Sequence, residues 1–182
     1  SRADIPVAFS GGYNPSPRII FGLPLSLGFT SSCEYADIEL TIKMEVSEFV
    51  KRMNSVLPEA LKILKAGYVE NSGNIMALVA FSGYEIKIKT HDKELFVREV
   101  ERFLGTESII VEKKTKKRTS MIDIKPLIKD LKIKVEDDVI LKALFKAGGE
   151  QNLNPMLFLE ALRDLISVDF ETGAIRRTGL YI

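Results

Sequence analysis

Two kinds of hydrophobic order run along this chain. Tyr84-Glu85-Ile86-Lys87-Ile88-Lys89 is strict apolar–polar alternation, which places one face of a strand in a core and the other in water. Leu131, Ile133 and Val135 alternate with lysines in the same way. Residues 139–147 fit either helix or strand; because Val139, Leu141, Ala143 and Phe145 also satisfy period two, and Gly148-Gly149 stops them, a strand is expected. A last strand is expected over 174–182, after Gly173. Helical spacing takes over in three places. Ser47 precedes Phe49, Val50, Met53, Val56 and Leu57, and Asp92 precedes Phe96, Val97, Val100, Phe103 and Leu104, with Gly105 as the stop. Asn154 as cap and Pro155 at the first helical position open a third helix that runs to Ile166.

Shorter apolar runs at 19–21, 23–27, 35–43, 61–69 and 109–111 are expected to be strands, with Pro24 and Gly28 marking an edge or a bulge. Asn71-Ser72-Gly73-Asn74 reads as a linker, so the expected domains are 1–70 and 71–182. Strand–helix–strand on both sides of a linker gives an α+β fold class, in its concrete form two split β-α-β, ferredoxin-like lobes with antiparallel or mixed sheets.

Composition narrows the function only a little. A chain of 182 residues with 46% hydrophobic content can bury a sizeable core. Net charge of +1 argues against a generally basic nucleic-acid coat and leaves room for a local patch. The sequence holds no apolar run long enough to cross a bilayer, so no membrane partner is expected. Cys33 stands alone, which rules out an intrachain disulfide and fits a reducing, cytoplasmic setting.

The most unusual punctuation is Ser10-Gly11-Gly12-Tyr13-Asn14-Pro15-Ser16-Pro17-Arg18. Its glycines and prolines predict a stiff loop that presents Tyr13, Asn14 and Arg18, with Ser10 and Gly12 shaping it. Such a loop either cradles an anion or partner, or simply joins two elements. It has neither the Lys-Ser/Thr of a phosphate-binding loop nor the spacing of a dinucleotide fingerprint.

The segments Arg2-Ala3, Ile5-Pro6-Val7-Ala8 and Gly12-Tyr13-Asn14-Pro15, with Pro17-Arg18-Ile19, carry a resemblance. So do Leu23-Pro24-Leu25, Leu27-Gly28, Glu34-Tyr35, Asp37, Glu39-Leu40, Asp123-Ile124 and Pro126-Leu127-Ile128. Ala147-Gly148, Glu150, Asn152-Leu153, Pro155 and Arg176-Arg177-Thr178-Gly179-Leu180-Tyr181 complete it. Together they resemble the bacterial radical-SAM-linked proteins, a family of unknown function. That family usually has His where Ser16 stands here. The resemblance implies a further strand and helix ahead of Ser1, so the chain is expected to be the ordered part of a longer protein. It also implies a radical-SAM protein as partner, because members resemble proteins encoded beside or fused to one. Their neighbourhood of ribonuclease and ribosomal-protein genes favours RNA as the second partner. A single cysteine cannot hold the irons of a radical-SAM cluster, so this polypeptide is expected to accompany the radical chemistry rather than perform it, and no cofactor is expected.

Charge supplies the RNA candidates. Lys113, Lys114, Lys116, Lys117 and Arg118 form a basic tract, and between Lys113 and Lys134 nine basic residues face two acids. Such a tract is either a phosphate-binding surface or a solvated turn whose lysines blunt an edge. Arg176 and Arg177, followed by Tyr181 on the last strand, offer a second basic site beside an aromatic ring, although the aromatic ribonucleoprotein motif is missing. His91 and Cys33 are lone residues for which a structural role is the simpler expectation. Asp37 and Glu39 share a strand face and, with Glu34, would serve an enzyme acting on a nucleotide or RNA; a plain polar face explains them equally well. The Gly148–Asn152 turn before the third helix either meets an anion or merely caps it. The reading favoured is a non-catalytic binding module that presents RNA to a radical-SAM protein, against a nucleotide- or RNA-directed enzyme and a protein–protein adaptor.

Overall fold

The structure, a computed structural model, describes residues 2–69, 74–114, 119–149 and 151–182, apart from the Lys114 side chain. Its elements in chain order are β1 (Ile19–Phe21), β2 (Thr30–Ser31), β3 (Ala36–Ile38), α1 (Val46–Val56), α2 (Ile75–Leu78), β4 (Phe81–Lys89), α3 (Lys93–Gly105), β5 (Ile110–Lys114), β6 (Thr119–Asp123), β7 (Ile128–Val135), β8 (Val139–Lys146), α4 (Pro155–Leu165) and β9 (Glu171–Tyr181). They form two compact units: Ser1–Phe21 with Ala36–Ile75, and Gly22–Tyr35 with Met76–Ile182.

The second unit is an α+β sheet in the order β2-β9-β4-β8-β7. Four of these strands, with α3 between β4 and β7 and α4 between β8 and β9, give the split β-α-β-β-α-β topology, every pair among them antiparallel. The two-residue β2 adds a parallel edge beside β9 and makes the sheet mixed. The hairpin β5–β6 is inserted between α3 and β7. Alternation does what it predicts. Tyr84, Ile86 and Ile88 of β4 and Leu141 and Phe145 of β8 meet Phe96 and Val100 of α3 and Phe158, Leu159 and Leu162 of α4 in one buried core. Phe145 lies 5.1 Å from Phe158 and 6.0 Å from Tyr84, ring to ring. Both helices start as the sequence demands: Asp92 accepts from Leu95 N–H at 2.8 Å, and Asn154 from Met156 N–H at 2.8 Å ahead of Pro155.

A half-buried carboxylate ties α3 to the loop after α4. Glu99 accepts from the Ser167 backbone N–H and hydroxyl, both at 3.1 Å, and from Arg102 at 2.7 Å. The Ser167 N–H first, then Arg102 and the Ser167 hydroxyl, hold the Glu99 carboxyl below its ordinary value of 4.5, with burial opposing. A carboxyl lowered in the folded state stabilises above its unfolded pKa, and that stability is lost as pH falls through the folded value. Glu99→Gln is therefore expected to lower the melting temperature at pH 7, and the gap to wild type should close as both are titrated below about pH 4. A gap that stayed constant to pH 2.5 would sink this assignment.

The first unit holds the antiparallel β1–β3 pair, the isolated bridges Val7–Leu40 and Phe9–Pro17, and the helix α1. Several expectations are corrected here. Helix α1 begins at Val46, because Glu45 is still extended, so Ser47 lies inside the first turn rather than capping it. Residues 61–69 form no strand: a short 3-10 turn, Glu59–Leu61, follows Pro58, and Leu64 stays 88% exposed, so the apolar run has no sheet to join. Residues 23–27 are also irregular, and the strand expected over 35–43 is confined to Ala36–Ile38. Of the expected linker, residues 71–73 lie outside the described residues.

Candidate nucleic-acid interface

Adjacent residues on a strand point to opposite faces, and this separates the two arginines of β9. Ile175 and Arg177 point inward, and Arg176 points outward. Arg177, expected at an RNA surface, is 1% exposed and neutralised, which corrects that expectation. Its Nη1 donates to both carboxylate oxygens of Glu34 at 2.9 Å and to the Leu23 carbonyl at 2.9 Å. Its Nη2 donates to the Pro24 carbonyl at 2.9 Å, and the guanidinium sits 5.7 Å above the Tyr84 ring. Ser32 N–H returns a bond to the Arg177 carbonyl at 3.0 Å. One buried cation thus holds the segment Gly22–Tyr35 onto the inner face of the sheet, where Phe29 packs edge-on to Tyr84 at 6.4 Å. Tyr84 and Phe29 were not among the residues singled out from the sequence.

The other carboxylates proposed for chemistry are also committed. Glu39 accepts from Arg18 at 2.9 and 3.2 Å, which ties Arg18 to the first unit's ladder. Asp37 caps the Ile75 N–H at 2.9 Å. Among the described residues no cluster of His, Cys, Asp or Glu could hold a metal. His91 is exposed. Cys33 beside the Tyr35 phenol holds it above its ordinary value, with burial and the nearby Tyr181 as smaller causes.

In the loop of the first unit, Ser10 N–H bonds the Ser16 carbonyl at 2.9 Å, and Ser16 N–H bonds the Ser10 hydroxyl at 3.0 Å, closing the neck. Gly12 takes φ +107°, the left-handed region that lets the tip turn. Tyr13 is 98% exposed, and Asn14 is exposed beside it.

The outer face of the five-stranded sheet is the open one, since α3 and α4 both pack on the inner face. Register sets its side chains in rows. Thr30, Arg176, Glu85, Lys142 and Lys132 lie side by side across all five strands. Lys142 pairs with Glu85 at 3.2 Å and Lys132 with Asp130 at 3.8 Å, while Arg176 has no carboxylate partner among the described residues. Lys132 and Lys142 oppose each other directly, an arrangement that costs stability unless an anion lies over it. At one end of this face the turn after β7 is acidic. Asp138 binds Lys87 at 2.8 Å, Glu136 binds Lys134, and the bonds hold both carboxyls below, and both ammoniums above, their ordinary values. At the other end Phe81 pairs in register with Tyr181 on one side and Lys146 on the other. A groove of about 290 Å³ opens beside them, lined by residues 77–81, 146–149 and Gln151.

The basic tract belongs to the inserted hairpin. Lys113 is half-buried opposite Ser120, and Lys114 ends β5; Lys116, Lys117 and Arg118 lie outside the described residues, as does Glu150 of the Gly148–Asn152 turn. Asp123 closes the hairpin base by accepting from Ile109 N–H at 2.8 Å and Lys125 N–H at 3.0 Å. Among the described residues no helix is long and apolar enough to cross a membrane.

Residues 1–155 match the model of a family described as an uncharacterized protein conserved in bacteria (DUF2344). No curated protein matches the chain. A solved chain from the crystal structure of a Cbf5-Nop10-Gar1 complex is similar at 16% identity and a TM-score of 0.42, over 58% of this chain and 32% of that one. The chain therefore spans about a third of the length of that solved chain.

Proposed function

The chain belongs to this uncharacterised bacterial family, and from that premise we propose that it is a non-catalytic module that presents RNA to a radical-SAM protein. The observation that carries the RNA part is the row of Arg176, Lys142 and Lys132 on a sheet face that neither helix of its unit covers. Phosphates are bound by such cations at a salt-dependent affinity, and the exposed strands are wide enough for a chain to lie across. Arg177, by contrast, serves the fold. Lys113, Lys114, Lys116, Lys117 and Arg118, a basic run in the sequence, are further phosphate candidates, and Tyr13 and Asn14 are the contact offered by the first unit. The radical-SAM partner follows from the resemblance of the spaced motifs, and a single cysteine fits a companion rather than the cluster-bearing enzyme. The commitment of Glu34, Asp37 and Glu39 to structural partners supports a binding role over hydrolytic chemistry at those residues.

The test is a titration of the purified chain with a fluorescently labelled single-stranded oligoribonucleotide at 50 and 200 mM salt. Binding that weakens as salt rises is the expected result. Absence of binding at 50 mM contradicts the RNA reading. Size-exclusion chromatography with the radical-SAM protein encoded beside it tests the other half, a shared peak being the expected outcome and separate peaks the contradicting one.

A further inference from the structure

The aromatic end of the open sheet face has a construction that the basic row does not explain. A β-bulge at Thr178, between the Tyr84–Arg177 and Gly83–Gly179 pairs, breaks the alternation of β9 and turns Gly179 and Tyr181 to that face, where Gly83 of β4 and Gly179 are paired in register. A side chain at Gly179 would collide with what lies above it, and one at Gly83 would crowd it. A Cβ at Gly179 would sit 2.7 Å from the Tyr181 hydroxyl and 2.8 Å from Cζ of its ring, and one at Gly83 would meet Thr178 Oγ1 at 3.0 Å and the Tyr181 ring at 3.5 Å. The Tyr181 ring therefore lies down over two bare backbones instead of standing off the sheet, and it remains 50% exposed. Phe81 is its cross-strand neighbour, Lys146 is next in the row, and Arg176 is five residues upstream on the same strand, about 16 Å away.

We infer that Tyr181, seated on the Gly83–Gly179 pair, is a base-stacking platform, and that the ligand of this face is single-stranded RNA rather than a duplex. This deepens the RNA reading above and rests on it. A flat ring backed by glycine offers its outer surface to a π-face, and every unpaired base has one. Duplex bases are stacked on one another and have no free face to offer. Lys146 stands beside the aromatic end and Arg176 further along the same face, where each can hold a phosphate of the strand. The 290 Å³ groove beside Phe81 and Lys146 leaves room for the chain to continue past the sheet.

The test uses fluorescence anisotropy of the whole chain with a labelled 12-nucleotide RNA, single-stranded or annealed to its complement. Tyr181→Leu removes the ring and is expected to weaken single-strand binding about 5- to 150-fold, the range for loss of one base–aromatic contact. The slope of affinity against salt should be unchanged, because no charge has been removed. Tyr181→Phe keeps the ring and should bind within about twofold of wild type, on the same reasoning. If Tyr181→Leu fails to fold, Gly179→Ala gives the same reading by pushing the ring off its seat. Wild-type affinity in both Tyr181→Leu and Gly179→Ala, or a duplex that binds as tightly as the single strand, overturns the platform while leaving the RNA reading intact. No RNA binding by wild type overturns both.

Discussion

Glu34→Gln is expected to cost about 3 kcal/mol of stability and to lower the melting temperature by roughly 6–12 °C for a chain of this size. Yet Glu34 keeps 35% of its side chain in contact with water. The cost arises at its partner. Arg177 is 1% exposed, and its charge is compensated by the Glu34 carboxylate together with the Leu23 and Pro24 carbonyls. Neutralising the acid leaves a buried guanidinium with carbonyls alone, and an uncompensated buried charge is strongly destabilising. Partial exposure of Glu34 lets water relieve some of this, which places the figure at the low end of the 3–5 kcal/mol seen for such pairs. Arg177→Met should cost less, about 1–2 kcal/mol, because Glu34 can then turn to solvent and the pocket is filled by an apolar chain of similar length. Combining Arg177→Met with Glu34→Leu should bring stability back to within about 1 kcal/mol of wild type, since the buried charge and its partner are removed together. Urea unfolding of wild type, the two single variants and the double variant measures these differences. Equal costs for the two single variants, or a double variant worse than either, would refute the clamp.

Neutralising Lys132, Lys142 and Arg176 together, each to Gln, is expected to weaken single-stranded RNA binding about 100-fold in 0.1 M salt. Each lost phosphate contact removes about 0.7 from the slope of log affinity against log salt on single strands, so three remove about 2. At tenfold below 1 M salt the same factor appears as about two decades of affinity. The fold should tolerate the change. All three side chains are exposed, and removing the Lys132–Lys142 opposition relieves a repulsion while the exposed Lys142–Glu85 pair contributes little. A triple variant with the wild-type slope would move the RNA, if any is bound, to the β5–β6 hairpin or the Tyr13 loop.

Much of the second unit was legible in the sequence because its signals are local. The alternation of residues 84–89 and the Asp92 and Asn154-Pro155 caps each state their element without help from a distant partner, and each is found in place; residues 139–147 fit helix or strand, and the strand chosen on period two is the one found. The first unit was less legible. Residues 61–69 are apolar enough for a strand, but a strand needs a neighbour to pair with, and sequence does not say whether one is offered. The two arginines show what was in reach and missed. Counting in twos from the buried Ile175 puts Arg177 inside and Arg176 outside, so alternation alone separates the structural cation from the displayed one. Its partner was not readable in that way, because Glu34 lies 143 residues earlier in the chain. The seat of Tyr181 was also hidden, since it depends on the register that brings Gly83 opposite Gly179.

The measurement that tests the central claim most directly is ultraviolet crosslinking of the chain to a uridine-rich single strand, with mass-spectrometric assignment of the crosslinked peptides. The account predicts crosslinks on Tyr181 and Phe81, within the peptides of β9 and β4, that are lost when Lys132, Lys142 and Arg176 are neutralised. Crosslinks confined to Tyr13 or to the hairpin tract around Lys116 and Lys117, with none on β4 or β9, would contradict it.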